Sequence, residues 1–337
     1  MIKNQISQIK KLLSRPKSIV VIPHINPDGD AIGSTLGLYH FLKLKYHNVI
    51  VISPNDFPDF LKWMPGQNKI LNYQNDPVKA KKKIETSELI FTLDFNNLNR
   101  IGDMKDIVSQ SKGVKILIDH HQQPEDYAQI QYSDVKMSST CEMVYNFIDF
   151  LGESAAINSN IATCLYTGIM TDTGSFRYRS TTSKTHHIIS ELIDKGADNT
   201  SIHNQVYDTS SINRLKLLGI AINNLTYLEG LNTVYITLSQ DELKKHHYKK
   251  GDTEGFVNYG LSIKGVKLAV IFIEKKEDNL VKISFRSKGD FSVNNFARAH
   301  FQGGGHTNAA GGKSEKSLSD TVEKFINVLE NYTSELI

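Results

Sequence analysis

Apolar and polar positions along this chain fall into two textures. Up to about residue 195, short apolar runs of strand type alternate with segments in which apolar residues recur every three or four positions. Residues 18–22 and 48–53 predict strands, and 31–45 a helix with Ile32, Leu36, Tyr39 and Leu42 on one face. Two more strands end at Asp94 and Asp119, with a helix near 103–109 between them. Helical patterns then cover 138–151, 158–170 and 183–193, and an amphipathic one covers 1–15. Residues 55–66 carry Phe57, Phe60 and Trp63 among Pro and Asp, which reads as a loop or short helix packed on the sheet. Strands alternating with helices call for parallel βαβ units. The expected fold class is therefore α/β, with an N-terminal doubly wound, mostly parallel sheet. Residues 201–218 read as one polar helical connector. Beyond about 215 the texture changes: 233–238, 266–274 and 280–286 alternate like strands of a second, mixed sheet, and 318–329 predicts a closing helix. The expected partition is 1–195, a connector 196–214, and a smaller α/β domain 215–337.

Composition narrows the classes. With 39 basic and 36 acidic side chains the net charge is +3, so no polybasic coat is present for long duplex nucleic acid and any nucleotide recognition is local. Cys141 and Cys164 sit inside apolar stretches and read as core residues in a reducing compartment. The N-terminal segment lacks the apolar core of a signal peptide and no run has the length of a membrane span. The expectation is a cytoplasmic protein.

The candidate chemistry lies where apolar runs stop. The first ends in Pro23-His24-Ile25-Asn26-Pro27-Asp28-Gly29-Asp30. The second ends in Asp94, the third in Asp119-His120-His121, and the run 161–170 delivers Thr171-Asp172-Thr173-Gly174. A strand end running into a helix start is where open α/β sheets place their ligands. Carboxylates and imidazoles without thiolates suit Mn²⁺ or Mg²⁺ better than structural zinc. A second signal is Gly303-Gly304-Gly305-His306, whose glycines either form a flexible loop or bring backbone N–H groups close to a phosphate. The pairs His186-His187 and His246-His247 lack a carboxylate cluster and read as solvated surface.

Taken together, His24-x3-Asp28-x-Asp30, Asp94, Asp119-His120-His121, Asp172, and the Gly-Gly-Gly-His followed by Ala309-Ala310-Gly311 resemble the DHH phosphoesterase superfamily with its DHH-associated C-terminal domain. By layout the chain is similar to the stand-alone oligoribonuclease/pAp phosphatases. The resemblance implies two Mn²⁺ ions, with Mg²⁺ or Co²⁺ as substitutes: His24 and Asp28 on one, Asp30, His120 and Asp172 on the other, and Asp94 bridging. It implies that His121 faces the scissile phosphate, to hydrogen-bond or donate a proton, and that Asp119 orients the adjacent, liganding histidine. Arg286, Gly303, Gly304, Gly305 and His306 would grip the substrate's terminal phosphate, with Arg100 near the active site. Phe95-Asn96-Asn97 departs from the small hydroxyl residues expected after Asp94, which bears on substrate fit. The implied substrates are short oligonucleotides, pApA and pAp. The connector would then act as a hinge. A cyclic-di-AMP phosphodiesterase, a family II inorganic pyrophosphatase and a metal-bound nucleotide sensor without turnover are the alternatives, and a homodimer is left open.

Overall fold

Six strands of the first half pair in parallel, in the order β3-β2-β1-β4-β5-β6. They are β1 (Ser18–Ile22), β2 (Asn48–Ser53), β3 (Leu71–Asn72), β4 (Leu89–Leu93), β5 (Val114–Asp119) and β6 (Ile130–Ser133). Strand period two splits their side chains between two apolar layers. Ile19, Val21, Phe91 and Ile118 enter one core, while Val20, Ile22 and Ile90 enter the other. All five residues of β4 are buried, as expected for a strand covered on both faces. The order reverses direction between β1 and β4, the crevice where open α/β sheets bind ligands. The chain is described here by a computed structural model covering residues 3–276 and 279–337. It divides into two units, residues 1–209 and 210–337.

The helix after β1 begins at Gly29, not Ala31, and runs Gly29–Leu44 with Asp28 as its cap. It is buried around most of its circumference rather than along one stripe. Its glycines recur at Gly29, Gly33 and Gly37, and all three face the helix Ser159–Asp172. A Cβ at Gly29 would lie 2.3 Å from Thr171 Oγ1, one at Gly33 2.6 Å from the Cys164 carbonyl, and one at Gly37 2.6 Å from Leu165 Cδ2. The two helices therefore run antiparallel in backbone contact. That contact sets the last residue of the second helix, Asp172, beside the first turn of the other.

The remaining helices follow their patterns with shifted ends: Thr140–Phe150, Ser183–Asp194 and, near 103–109, Lys105–Gln110. The amphipathic N-terminal helix spans Lys3–Leu12; residues 1 and 2 of that expectation lie outside the described residues. Trp63 packs against the first core with its indole N–H on the Phe60 carbonyl, so it is a core residue. The single connector helix over 201–218 is corrected to two, Asn199–Tyr207 and Ile212–Asn223. Asp198 and Ser211 cap their separate N-termini.

The second unit holds a mixed sheet in the order β11-β12-β10-β9-β8-β7: β7 (Thr226–Leu228), β8 (Thr233–Leu238), β9 (Leu268–Lys275), β10 (Leu280–Ser287), β11 (Gly304–His306) and β12 (Ala309–Ser314). Only the β8–β9 pair is parallel. Phe272, Phe285, Phe296 and Phe325 fill one face; Leu217, Ile236, Phe256 and Ile271 fill the other. The glycine run is thus an edge strand rather than a flexible loop. The described residues contain no helix long and apolar enough to cross a membrane.

Candidate metal centre

Three strand ends and one helix end deliver the clustered side chains. After β1, the turn 23–28 is pinned from outside. The Ile25 N–H donates to the Arg100 carbonyl at 2.7 Å, and Asn26 and Asn55 exchange two hydrogen bonds of 2.7 Å. Asp28 Oδ1 accepts the N–H groups of Asp30 and Ala31, both at 3.1 Å, which caps the helix; such caps contribute about 1 kcal/mol. Its other oxygen faces His24. Asp94 follows β4 with φ of 66°, left-handed backbone that is unusual outside glycine. Its N–H stays on the Ile118 carbonyl, so the sheet holds the strain. Asp119 ends β5, with His120 and His121 next. Asp172, the fourth contribution, comes from the C-terminal end of a helix and not from a strand.

Among the groups of ligand atoms that result, His24, Asp28 and Asp94 form one and Asp30, His120 and Asp172 another. Asp94 faces both: its Oδ2 lies 3.5 Å from His24 Nε2 and its Oδ1 3.6 Å from His120 Nε2. His120 Nε2 is also 3.7 Å from Asp30 and 3.5 Å from Asp172. These separations are too long for hydrogen bonds. Meanwhile the Nδ1–H of His24 donates to the Ile25 carbonyl at 2.8 Å, and that of His120 to the Met137 carbonyl at 3.2 Å. Both rings therefore turn Nε2 toward carboxylate oxygens. A neutral imidazole would there set a lone pair against anionic oxygens, so a cation or a proton belongs between them. Hard oxygen and imidazole donors at this spacing fit divalent cations.

The electrostatics agree. Burial, then the neighbouring charges of Asp30, Asp28 and Asp172, hold the Asp94 carboxyl well above the usual carboxylate range. Burial would lower His120, but Asp172, Asp30 and Asp119 outweigh it and raise its affinity for a proton. His121 is pushed well below its ordinary value by burial, then by His120, Arg100 and His24. Its Nδ1–H donates to Asp119 Oδ1 at 2.7 Å. Asp119 therefore orients His121, whereas the Met137 carbonyl orients His120. This corrects the expectation for Asp119. The same hydrogen bond commits Nδ1 of His121 and leaves its Nε2 as the atom open to a reacting group.

Two contributors were not read from the sequence. The N–H groups of Thr140 and Cys141 grip both oxygens of Asp30, at 2.6 and 2.8 Å. Thr140 Oγ1 donates to Asp94 Oδ1 at 2.9 Å. Helix Thr140–Phe150, capped by Ser139, thus aims its N-terminus at the carboxylate cluster. The pattern Ser139-x-x-Glu142 signals that cap but not its target. Phe95-Asn96 is also explained by packing. Phe95 is buried and stacks on Tyr127, and Asn96 Nδ2 donates to the Gln122 carbonyl at 2.6 Å, fastening the loop after His121. In the second unit, Arg286 lies on β10, Gly304, Gly305 and His306 form β11, and Gly303 directly precedes it. Gly303 and Gly305 are demanded by packing, since a Cβ would lie 2.0 Å from the Gly311 carbonyl and 2.5 Å from the Ala309 carbonyl. His186 and His187 are exposed, as are His247 and, in part, His246.

Residues 18–169 match the DHH family, N-terminal domain, and residues 231–335 the DHHA1 domain. Fold and site together define a hydrolase of phosphoester bonds. The chain belongs to the DHH family. It is 30% identical over 331 residues to the bifunctional oligoribonuclease and PAP phosphatase NrnA of Thermus thermophilus, covering 98% of this chain and 93% of that one. It is 29% identical over 310 residues to the protein of the same name from Bacillus subtilis, covering 90% and 92%. The crystal structure of an exopolyphosphatase-related protein from Bacteroides fragilis superposes with a TM-score of 0.95 at 45% identity, covering 99% of this chain and 98% of that one.

Proposed function

We propose that this chain hydrolyses the phosphodiester bonds of short oligonucleotides, and the 3′-phosphate of pAp, to mononucleotides. In this reading His24, Asp28 and Asp94 hold one divalent cation, and Asp94, Asp30, His120 and Asp172 a second, with Mn²⁺ the expected metal. The observation that carries the reading is Asp94, whose two oxygens turn one to His24 and the other to His120. A carboxylate so placed can bridge two cations because it has two donor atoms and a charge that offsets both. The relatives' names supply the substrate class.

When bound, such a pair of ions neutralises phosphate charge and lowers the pKa of water toward about 7. The chain's own residues do the rest. Asp119 keeps the proton on His121 Nδ1 and so aims Nε2 at the reacting group. Thr140 and the Thr140–Cys141 N–H pair fix the rotamers of Asp94 and Asp30. In this reading the second unit, through Arg286, His306 and the glycine strand, binds the terminal phosphate of the substrate. A site that reads a chain end favours short substrates over polymers. The buried free thiols Cys141 and Cys164 suit a reducing compartment, and we place the reaction in the cytoplasm.

The test is turnover of pApA, a five-nucleotide RNA, pAp, cyclic di-AMP and pyrophosphate, each with Mn²⁺, Mg²⁺ or Co²⁺. Cleavage of the short linear species with pyrophosphate untouched is expected. Pyrophosphate hydrolysis alone would move the chain to the pyrophosphatases; no turnover of any substrate would favour a sensor. Thr140→Val supplies a separate check on the metal centre. It removes the hydroxyl that orients Asp94, and Mn²⁺ affinity measured by calorimetry should fall about 10–100-fold. Unchanged affinity would reduce Thr140 to a packing role.

A further inference from the structure

The glycines of the second unit divide into two kinds. Gly303, Gly305 and Gly312 have backbone or side-chain atoms within 2.0, 2.5 and 3.0 Å of where a Cβ would stand. Gly304 and Gly311 do not: their nearest such neighbours are at 3.4 and 3.9 Å, ordinary contact. Packing therefore does not require a bare backbone at these two positions. They are cross-strand partners, and Gly311 also pairs with Ser284. Two residues along each strand, on the same face, lies the row Arg286, Ala309, His306. The two rows are about 6–7 Å apart at the strand rise of about 3.3 Å per residue.

The neighbour of Gly304 is the guanidinium of Arg298. Its Nη2, Cζ and Nε lie 3.4, 3.5 and 3.6 Å from the Cβ position. Near-equal distances set the guanidinium broadside to Gly304, on the face that carries His306. Arg298 is held there. Its Nε–H donates at 3.0 Å to Asn294 Oδ1, and the same oxygen accepts the Gly305 N–H at 3.1 Å. Asn294 is 1% exposed, so this oxygen is a buried anchor tying the arginine to the glycine strand. Arg298 stands in the last turn of helix Val293–His300, where a basic residue ordinarily serves the helix dipole. Yet its side chain reaches back to Asn294 and lays its guanidinium against Gly304.

Resting on the function proposed above, we infer that Arg298 is a specificity-determining residue: with Arg286 and His306 it borders the bare Gly304–Gly311 floor and selects a terminal phosphate monoester over an internal diester. A monoester end carries about −1.5 to −2 charges near pH 7 and three acceptor oxygens, whereas a diester carries one charge. Two guanidinium groups on separate elements, one fixed at Nε by Asn294, match the more highly charged group. The selected substrates are fragments that end in a phosphate rather than in a hydroxyl.

The experiment compares kcat/KM for pApA and for ApA, which lacks the terminal phosphate, in wild type and Arg298→Gln with Mn²⁺. The preference for pApA should fall about 10–100-fold, the range for a lost hydrogen bond to a charged group, with ApA turnover unchanged. Arg298→Lys keeps the charge but loses the Asn294 bond, and should retain only part of the preference. A second measurement does not need turnover: calorimetry of AMP and adenosine binding to the whole chain. AMP affinity should fall in Arg298→Gln while adenosine affinity does not. If no oligonucleotide is cleaved but AMP affinity falls, the proposed reaction fails and the phosphate role of Arg298 stands. An unchanged pApA preference together with unchanged AMP affinity would overturn the role of Arg298 and leave the proposed reaction intact.

Discussion

Asp94→Asn is expected to reduce turnover on the order of 10³-fold, the scale of losing a charged group at the centre of a preorganised site, and to make the metal-free protein more stable. The two effects share one cause. Asp94 is buried beside Asp30, Asp28 and Asp172, and that setting raises its pKa. For a carboxyl raised in the fold, the unfolded chain ionises first as pH climbs. Stability is then full below the unfolded value, near the ordinary carboxyl value of 3.8, and is lost as pH rises toward the folded value. Asn removes that loss while keeping an oxygen for the Thr140 hydroxyl. In a chelated sample at pH 7–8 the variant should therefore melt above wild type, by about 2–4 °C per kcal/mol of relieved repulsion for a unit of this size. The gap should close toward pH 4. With Mn²⁺ added the order should invert: a saturating ligand at 100 times its dissociation constant stabilises wild type by about 2.7 kcal/mol, and Asn offers no second anionic oxygen to share. Thermal melts with chelator and with Mn²⁺ measure both. A variant less stable than wild type without metal would show that Asp94 is not an electrostatic burden in the fold, and equal Mn²⁺ shifts would remove it from the metal centre.

His121→Ala should lower kcat about 10²–10⁴-fold, the range for a positioned acid–base group, while the Mn²⁺-induced rise in melting temperature persists. Burial and the neighbouring His120, Arg100 and His24 push the imidazole well below its ordinary value, and its Nδ1–H is committed to Asp119. Asp119→Asn should then have a related but smaller effect, about 10–100-fold, because an amide can present its NH₂ to Nδ1 and turn the ring to the other tautomer. Double replacement separates the roles. If Asp119 acts only through His121, the pair should lose no more than His121→Ala alone. Additive losses would mean that Asp119 has a task of its own, and unchanged turnover in His121→Ala would remove this histidine from the reaction.

Much of this centre was legible in the chain itself. Apolar runs that stop at His24, Asp94 and Asp119 announce strand ends, and a strand end in a βαβ unit has one destination, the carboxyl edge of the sheet. Pro23, Pro27 and Gly29 announce a turn by their own backbone preferences. These are local effects, written in a few neighbouring residues. The direction in which Asp119 points was not local. Both His120 and His121 follow it, and the choice between them rests on the Met137 carbonyl, which competes for His120 from another segment. The clamp on Asp30 by Thr140 and Cys141 spans more than a hundred residues of sequence. So does the meeting of Gly29, Gly33 and Gly37 with the helix that ends at Asp172. The glycine spacing is visible in the sequence, yet it does not say which helix it admits. In the second unit nothing in the sequence singles out Arg298; Asn294 and Gly304 come to surround it only in the fold. Residue order determined most of the elements and the kinds of donor available, because propensity and strand period act over a few residues. Tertiary packing alone decided which donors share an oxygen, which histidine an acid orients and which glycines stay bare, because those outcomes depend on distances between segments that meet only when the cores close.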